Sequence, residues 1–140
     1  GLMDGGFDKA IIDSFGRDLA VKVRECILER FCGEQPVATS FSIPIPGRED
    51  VLLIHTPTMR VPSRIVDPMV AYQCMRTSLM EALRTARTQI VVPAFGGECG
   101  LLPFMKIAQL MWEAYRQVSN PPREITWDYA ESRDLEGWYR

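Results

Sequence analysis

Ile90-Val91-Val92-Pro93-Ala94-Phe95-Gly96-Gly97-Glu98-Cys99-Gly100-Leu101-Leu102-Pro103 is the stretch whose reading decides the fold. A short apolar run leads into a glycine-rich turn, and a helical pattern opens at Pro103. Strand, glycine loop and helix start, in that order, make a ready place for phosphate. The glycines let backbone N–H groups approach an anion, and the helix start adds unpaired donors and the positive end of its dipole. A second glycine pair, in Asp4-Gly5-Gly6-Phe7-Asp8, also stands directly before a helical pattern. Two such turns in one small chain point to a ligand with more than one polar centre, such as a nucleotide diphosphate.

Working outward, Phe7, Ala10, Ile11 and Phe15 recur at helical spacing until Gly16. Arg17 to Phe31 forms a longer helix with Leu19, Val23, Ile27 and Phe31 on one face and Gly33 just beyond. Val37, Thr39, Phe41 and Ile43 alternate with smaller residues, which predicts a strand ended by Pro44-Ile45-Pro46-Gly47. Val51 to Thr56 reads as a strand buried on both faces. After a proline-punctuated loop, Asp67-Pro68 caps and opens a helix reaching about Arg84. Gln89 to Pro93 is expected to be a buried strand, Pro103 to Gln117 a helix, and Ile125 to Tyr129 a last strand. The second half therefore alternates as in an α/β sandwich.

The chain has 140 residues, 46% of them hydrophobic and 24% charged, with a net charge of −2. That suits one domain, with a core over about 1–129 and a short tail over 130–140. No Lys/Arg stripe supports nucleic-acid binding. No run reaches the ~18 apolar residues of a membrane span, and no signal peptide is expected. The thiols Cys26, Cys32, Cys74 and Cys99 form no CxxC pair. With His55 the only histidine, no zinc constellation and no cofactor are expected. Reduced thiols fit a cytoplasmic protein.

Three pieces carry a resemblance: Met3-Asp4-Gly5-Gly6-Phe7-Asp8-Lys9-Ala10-Ile11, Leu53-Ile54-His55-Thr56-Pro57-Thr58-Met59-Arg60-Val61-Pro62, and Val92 to Leu101. In their order and separation they resemble the macro domain family, the ADP-ribose-binding α/β/α fold, and look most like a bacterial and phage-type branch. The resemblance runs from Gly1 to about Tyr129. It implies a three-layer α/β/α sandwich over a mixed sheet, and binding of ADP-ribose or a derivative such as an ADP-ribosylated protein or ADP-ribose 1″-phosphate. Hydrolysis of such a ligand is one implied activity; a non-catalytic or degenerate reader with a weakened pocket is the other.

Two departures stand out. Family members begin with two strands, the second ending in an Ala-Asn-Ser type loop, and this sequence starts inside that loop. An N-terminally incomplete sheet is therefore expected, completed by an upstream segment, by a strand from a second copy in a homo-oligomer, which would also bury Trp138 and Tyr139, or by direct pairing of the strands that flank the gap. The second departure is Glu98, which replaces a loop glycine and puts a carboxylate where pyrophosphate is expected.

The resemblance gives Asp8 the role of orienting a catalytic water near the distal ribose; otherwise it is a first-turn acid favoured by the dipole. Asp4 is a turn former or a ligand contact beside Gly5 and Gly6. Phe95, Gly96, Gly97, Glu98, Cys99 and Gly100 are either a phosphate cradle or a tight strand-to-helix turn. Cys99 is a filler or a thiol activated by the helix start. Glutamate at Gly96 or Gly97 is expected to abolish binding and spare the fold. The resemblance makes Tyr129 a candidate to stack on adenine; a plain core aromatic is the rival role, and Trp127 competes for the position. His55 reads as a satisfied core histidine rather than a general base, and Arg60 as a pin for an internal carboxylate rather than a ligand contact.

Overall fold

The computed structural model describes Met3 and residues 6–132. Helix α1 spans Gly6–Phe15 and α2 spans Arg17–Phe31. Gly16, at a φ of +94°, makes the corner between them and closes α1 through its N–H to the Ile12 carbonyl at 2.8 Å. Cys32 and Gly33 turn left-handed past α2, and the Gly33 N–H returns to the Ile27 carbonyl at 3.1 Å. Helix α3 runs Met69–Arg84, its start capped by Asp67 Oδ1, which accepts from the Met69 N–H at 2.9 Å. Helix α4 runs Phe104–Ser119, directly after Pro103. These four helices lie where the apolar periodicity put them.

The strands depart from expectation. β1 is Phe41–Ile45 and β2 is Arg48–His55, an antiparallel pair closed by Pro46-Gly47. Gly47 takes the positive φ that this two-residue turn requires. Residues 37–38 form a turn, with Ala38 at a φ of +60°, so the alternation from Val37 enters the ladder only at Phe41. Residues 89–93 are no strand. Their side chains alternate as a strand would, with Ile90 and Val92 packed on the core and Val91 exposed. A strand also needs a hydrogen-bonded partner, and among the described residues none pairs with this segment. Residues 125–129 are not a strand either. Thr126 Oγ1 accepts from the Tyr129 N–H at 3.2 Å, a helix cap, and opens α5 over Trp127–Ser132.

The fold is α/β, and its described sheet is the single hairpin. Two apolar cores flank it. Leu19, Val23 and Ile27 of α2 meet Phe41, Ile45 and Leu53 of the hairpin. Ala71, Met75 and Leu79 of α3 meet Ile107, Leu110 and Ala114 of α4, with Phe95 and Leu102 fixing the glycine loop to this second core.

Candidate functional site

The 95–102 loop is held from both ends. The Phe95 side chain is buried in the α3–α4 core, so only its backbone can face a ligand. The Gly97 N–H donates to the Ala94 carbonyl at 3.0 Å, Leu101 N–H to the Glu98 carbonyl at 3.0 Å, and Leu102 N–H to the Gly96 carbonyl at 3.1 Å. The Gly100 carbonyl accepts from the Ile65 N–H at 3.0 Å, tying the loop to the segment before α3. Five amides of the loop are left over. Among the described residues, the N–H groups of Phe95, Gly96, Glu98, Cys99 and Gly100 have no hydrogen-bond partner. They are the donors an anion would use.

The glycines are needed for packing as well. Gly96 has a φ of +84°, and a Cβ there would lie 2.8 Å from Leu102 and 2.9 Å from Ile65. A Cβ on Gly100 would come within 2.6 Å of the Gly96 carbonyl oxygen, and one on Gly97 within 2.6 Å of the Phe104 ring. The expectation that glutamate spares the fold is therefore corrected at Gly96, where it displaces the buried Leu102 and the partly buried Ile65; at Gly97 it displaces the exposed Phe104 ring.

Glu98 brings the glycine loop against the start of α1. Its carboxylate lies directly against Gly6, the first residue of α1, where a Cβ would overlap it. Gly6 holds a φ of +54°. Asp8, two residues on, is an exposed acid in the first turn of α1. Asp4 and Gly5 lie outside the described residues. Cys99 is an exposed free thiol on the loop. Tyr129 is not on a strand end but within α5, and it acts electrostatically on Arg116 in the last turn of α4, the end opposite the glycine loop.

Residues 1–111 match the Macro domain family, a span that includes both glycine turns. The chain belongs to the Macro domain family. ADP-ribose binding is the general property of that family. None of the curated proteins matches the chain.

Elsewhere the macro domain holds its titratable groups in structural roles. His55 Nδ1 and Gln35 Oε1 are 2.7 Å apart, and burial pushes the imidazole pKa down to about 4, so the ring is neutral at pH 7. Gln35 in turn donates to the Thr39 carbonyl at 3.0 Å and the His55 carbonyl at 3.3 Å. Nothing in the sequence signalled Gln35, which meets His55 only after the chain folds. This pair borders an open cavity of about 360 Å3 that shares no lining residue with the glycine loop. At its rim Arg60 pairs with Glu34 at 2.7 Å, and because both side chains are exposed the carboxylate it holds is a surface one, not the internal one expected. Burial raises the Cys74 thiol to about 12, which makes it inert. Among the described residues no three side chains could hold a metal ion, and no helix is long and apolar enough to cross a membrane.

Proposed function

We infer that this macro domain binds ADP-ribose, free or as a protein modification, in the cleft between the 95–102 loop and the start of α1. The observation that carries the reading is the contact of Glu98 with Gly6, which makes one site of two glycine turns far apart in sequence. The unpartnered loop amides suit the pyrophosphate, whose charge the α1 and α4 helix starts would also favour. Asp8 then stands at the ribose end. Its exposure in the first turn of α1 supports hydrolysis of an ADP-ribosyl ester or of ADP-ribose 1″-phosphate, with Asp8 aligning the attacking water.

Isothermal calorimetry with ADP-ribose is the direct test, with micromolar binding expected and the absence of heat refuting the reading. Asp8→Ala is expected to lower turnover at least tenfold with affinity almost unchanged, because an aligned water matters mainly in the transition state. Equal turnover in wild type and variant would remove Asp8 from the chemistry. The second edge of β2 is unpaired among the described residues, and Pro44 blunts the outer edge of β1. Self-association of the chain would then go through the β2 edge, which sedimentation of the purified protein tests.

A further inference from the structure

We propose that Glu98 is a tethered anion that competes with the ligand for its own phosphate site, so that the macro domain discriminates among ligands by the charge they bring to the α1 start. The inference rests on the ADP-ribose reading and adds to it the residue that sets the strength and selectivity of binding.

Three observations meet at Glu98. Its carboxylate lies against Gly6, at the end of α1 where the first amides of the helix have no intrahelical acceptor. That is where an anion is most favoured, and a carboxylate is the simplest intramolecular substitute for a phosphate oxygen. The contact exists only because residue 6 is glycine, since a side chain there would overlap the carboxylate. Finally, among the described residues the Glu98 side chain has no hydrogen bond and no ion pair with any other side chain. Among the described residues no cation pairs with it.

The consequence is electrostatic. A pyrophosphate held by the loop amides at the start of α1 meets the negative charge of Glu98 beside it. It must displace the carboxylate toward solvent, where Glu98 is already exposed and free to go. The unpartnered amides of Glu98, Cys99 and Gly100 belong to the same loop, so this swing leaves the cradle standing. Ligands without phosphate escape the repulsion. Glu98 thus weakens ADP-ribose and inorganic pyrophosphate selectively and leaves adenosine almost untouched.

The test compares wild type with Glu98→Gln, which keeps shape and hydrogen-bonding capacity and removes the charge. Calorimetry is run on both proteins with ADP-ribose, inorganic pyrophosphate and adenosine. The expected result is about tenfold tighter binding of the two phosphate ligands by Glu98→Gln, a ratio that shrinks at high salt, with adenosine unchanged. ADP-ribose bound equally by both proteins would overturn the Glu98 proposal and leave the ADP-ribose reading intact. Tighter pyrophosphate binding by the variant with no ADP-ribose binding by either would uphold Glu98 and refute that reading. An equal gain for adenosine would also overturn the proposal, because a general loosening of the loop would then account for it. If neither protein binds either anion, both ideas fall.

Discussion

Helix α3 presents two contrasting faces. Toward α4 it is apolar: Ala71, Met75 and Leu79 pack on Ile107, Leu110 and Ala114, and the polar groups are gathered at one end. There the Tyr72 hydroxyl donates to Gln117 Oε1 at 2.7 Å, and Gln117 Nε2 donates to Glu113 Oε1 at 2.8 Å. Toward the β1–β2 hairpin the contact is a seam of hydroxyls. Ser40 bonds Thr77 at 2.9 Å, Thr56 bonds Ser78 at 2.9 Å, and the Ser42 hydroxyl donates to Glu81 Oε1 at 2.6 Å. The first face draws its stability from area removed from water, the second from satisfied polar groups. They should fail in different ways, the first through lost volume and the second through lost partners or protonation.

The largest effect belongs to the apolar face. Leu110 is fully buried, and Leu110→Ala is expected to lower unfolding free energy by about 3–4 kcal/mol in urea titration, from lost transfer energy and the residual cavity. A cost below about 1 kcal/mol would mean that the α3–α4 core collapses around the gap and is not tightly packed.

Acid should separate the two faces next. His55 lies on β2 and its folded pKa, about 4, is below its ordinary 6.5. As pH falls through 6.5 the unfolded chain takes up a proton that the folded chain refuses, so stability drops until about pH 4. The loss is about 3 kcal/mol at most. Glu81, on the hairpin side of α3, adds to it. The hydrogen bond from Arg84 holds its carboxyl below the usual range, and the Ser42 hydroxyl helps. Stability from Glu81 is therefore present above its ordinary pKa and lost as acid protonates it. Hydrogen exchange at pH 7, 5.5 and 4 should show protection falling in Phe41–His55 before it falls in α3 and α4. Simultaneous loss in both regions would mean that the hairpin has no independent opening.

The apolar face was legible in the sequence and the polar seam was not, for a physical reason. Helices α2, α3 and α4 announce themselves by apolar spacing and by punctuation at Gly16, Asp67 and Pro103, all of it local. The strand expected over Gln89–Pro93 had the right side-chain pattern, but strandness is a property of pairs and no described partner is present. At Thr126 the deciding signal is local: a threonine followed by Asp128 is a helix start, and it outweighs the β-branched and aromatic residues around it. The glycine loop and the α1 start were each readable as anion sites. Their meeting through Glu98 and Gly6 joins opposite ends of the chain, as does the pairing of Gln35 with His55 on a smaller scale. The departure at Glu98 was visible beforehand; what it leans on was not.

The smallest effect probes how the hydroxyl seam is wired. Ser78, Thr56, Ser40 and Thr77 form a chain of hydrogen bonds, and Thr77 also donates to the Cys74 carbonyl at 3.3 Å. Removing Ser40 leaves Thr56 with Ser78 and Thr77 with the carbonyl, so no hydroxyl is stranded. Removing Ser78 leaves Thr56 with Ser40. Only the loss of Thr56 strands a buried group, because Ser78 is 3% exposed and Thr56 is its hydroxyl partner. Thr56→Val is thus expected to cost about 2 kcal/mol, and Ser78→Ala or Ser40→Ala about 1 kcal/mol or less. The double variant Thr56→Val with Ser78→Ala should be more stable than Thr56→Val alone, since the second change deletes the stranded hydroxyl. Strict additivity of the two losses would show that Ser78 finds another acceptor and that the seam is a set of independent bonds.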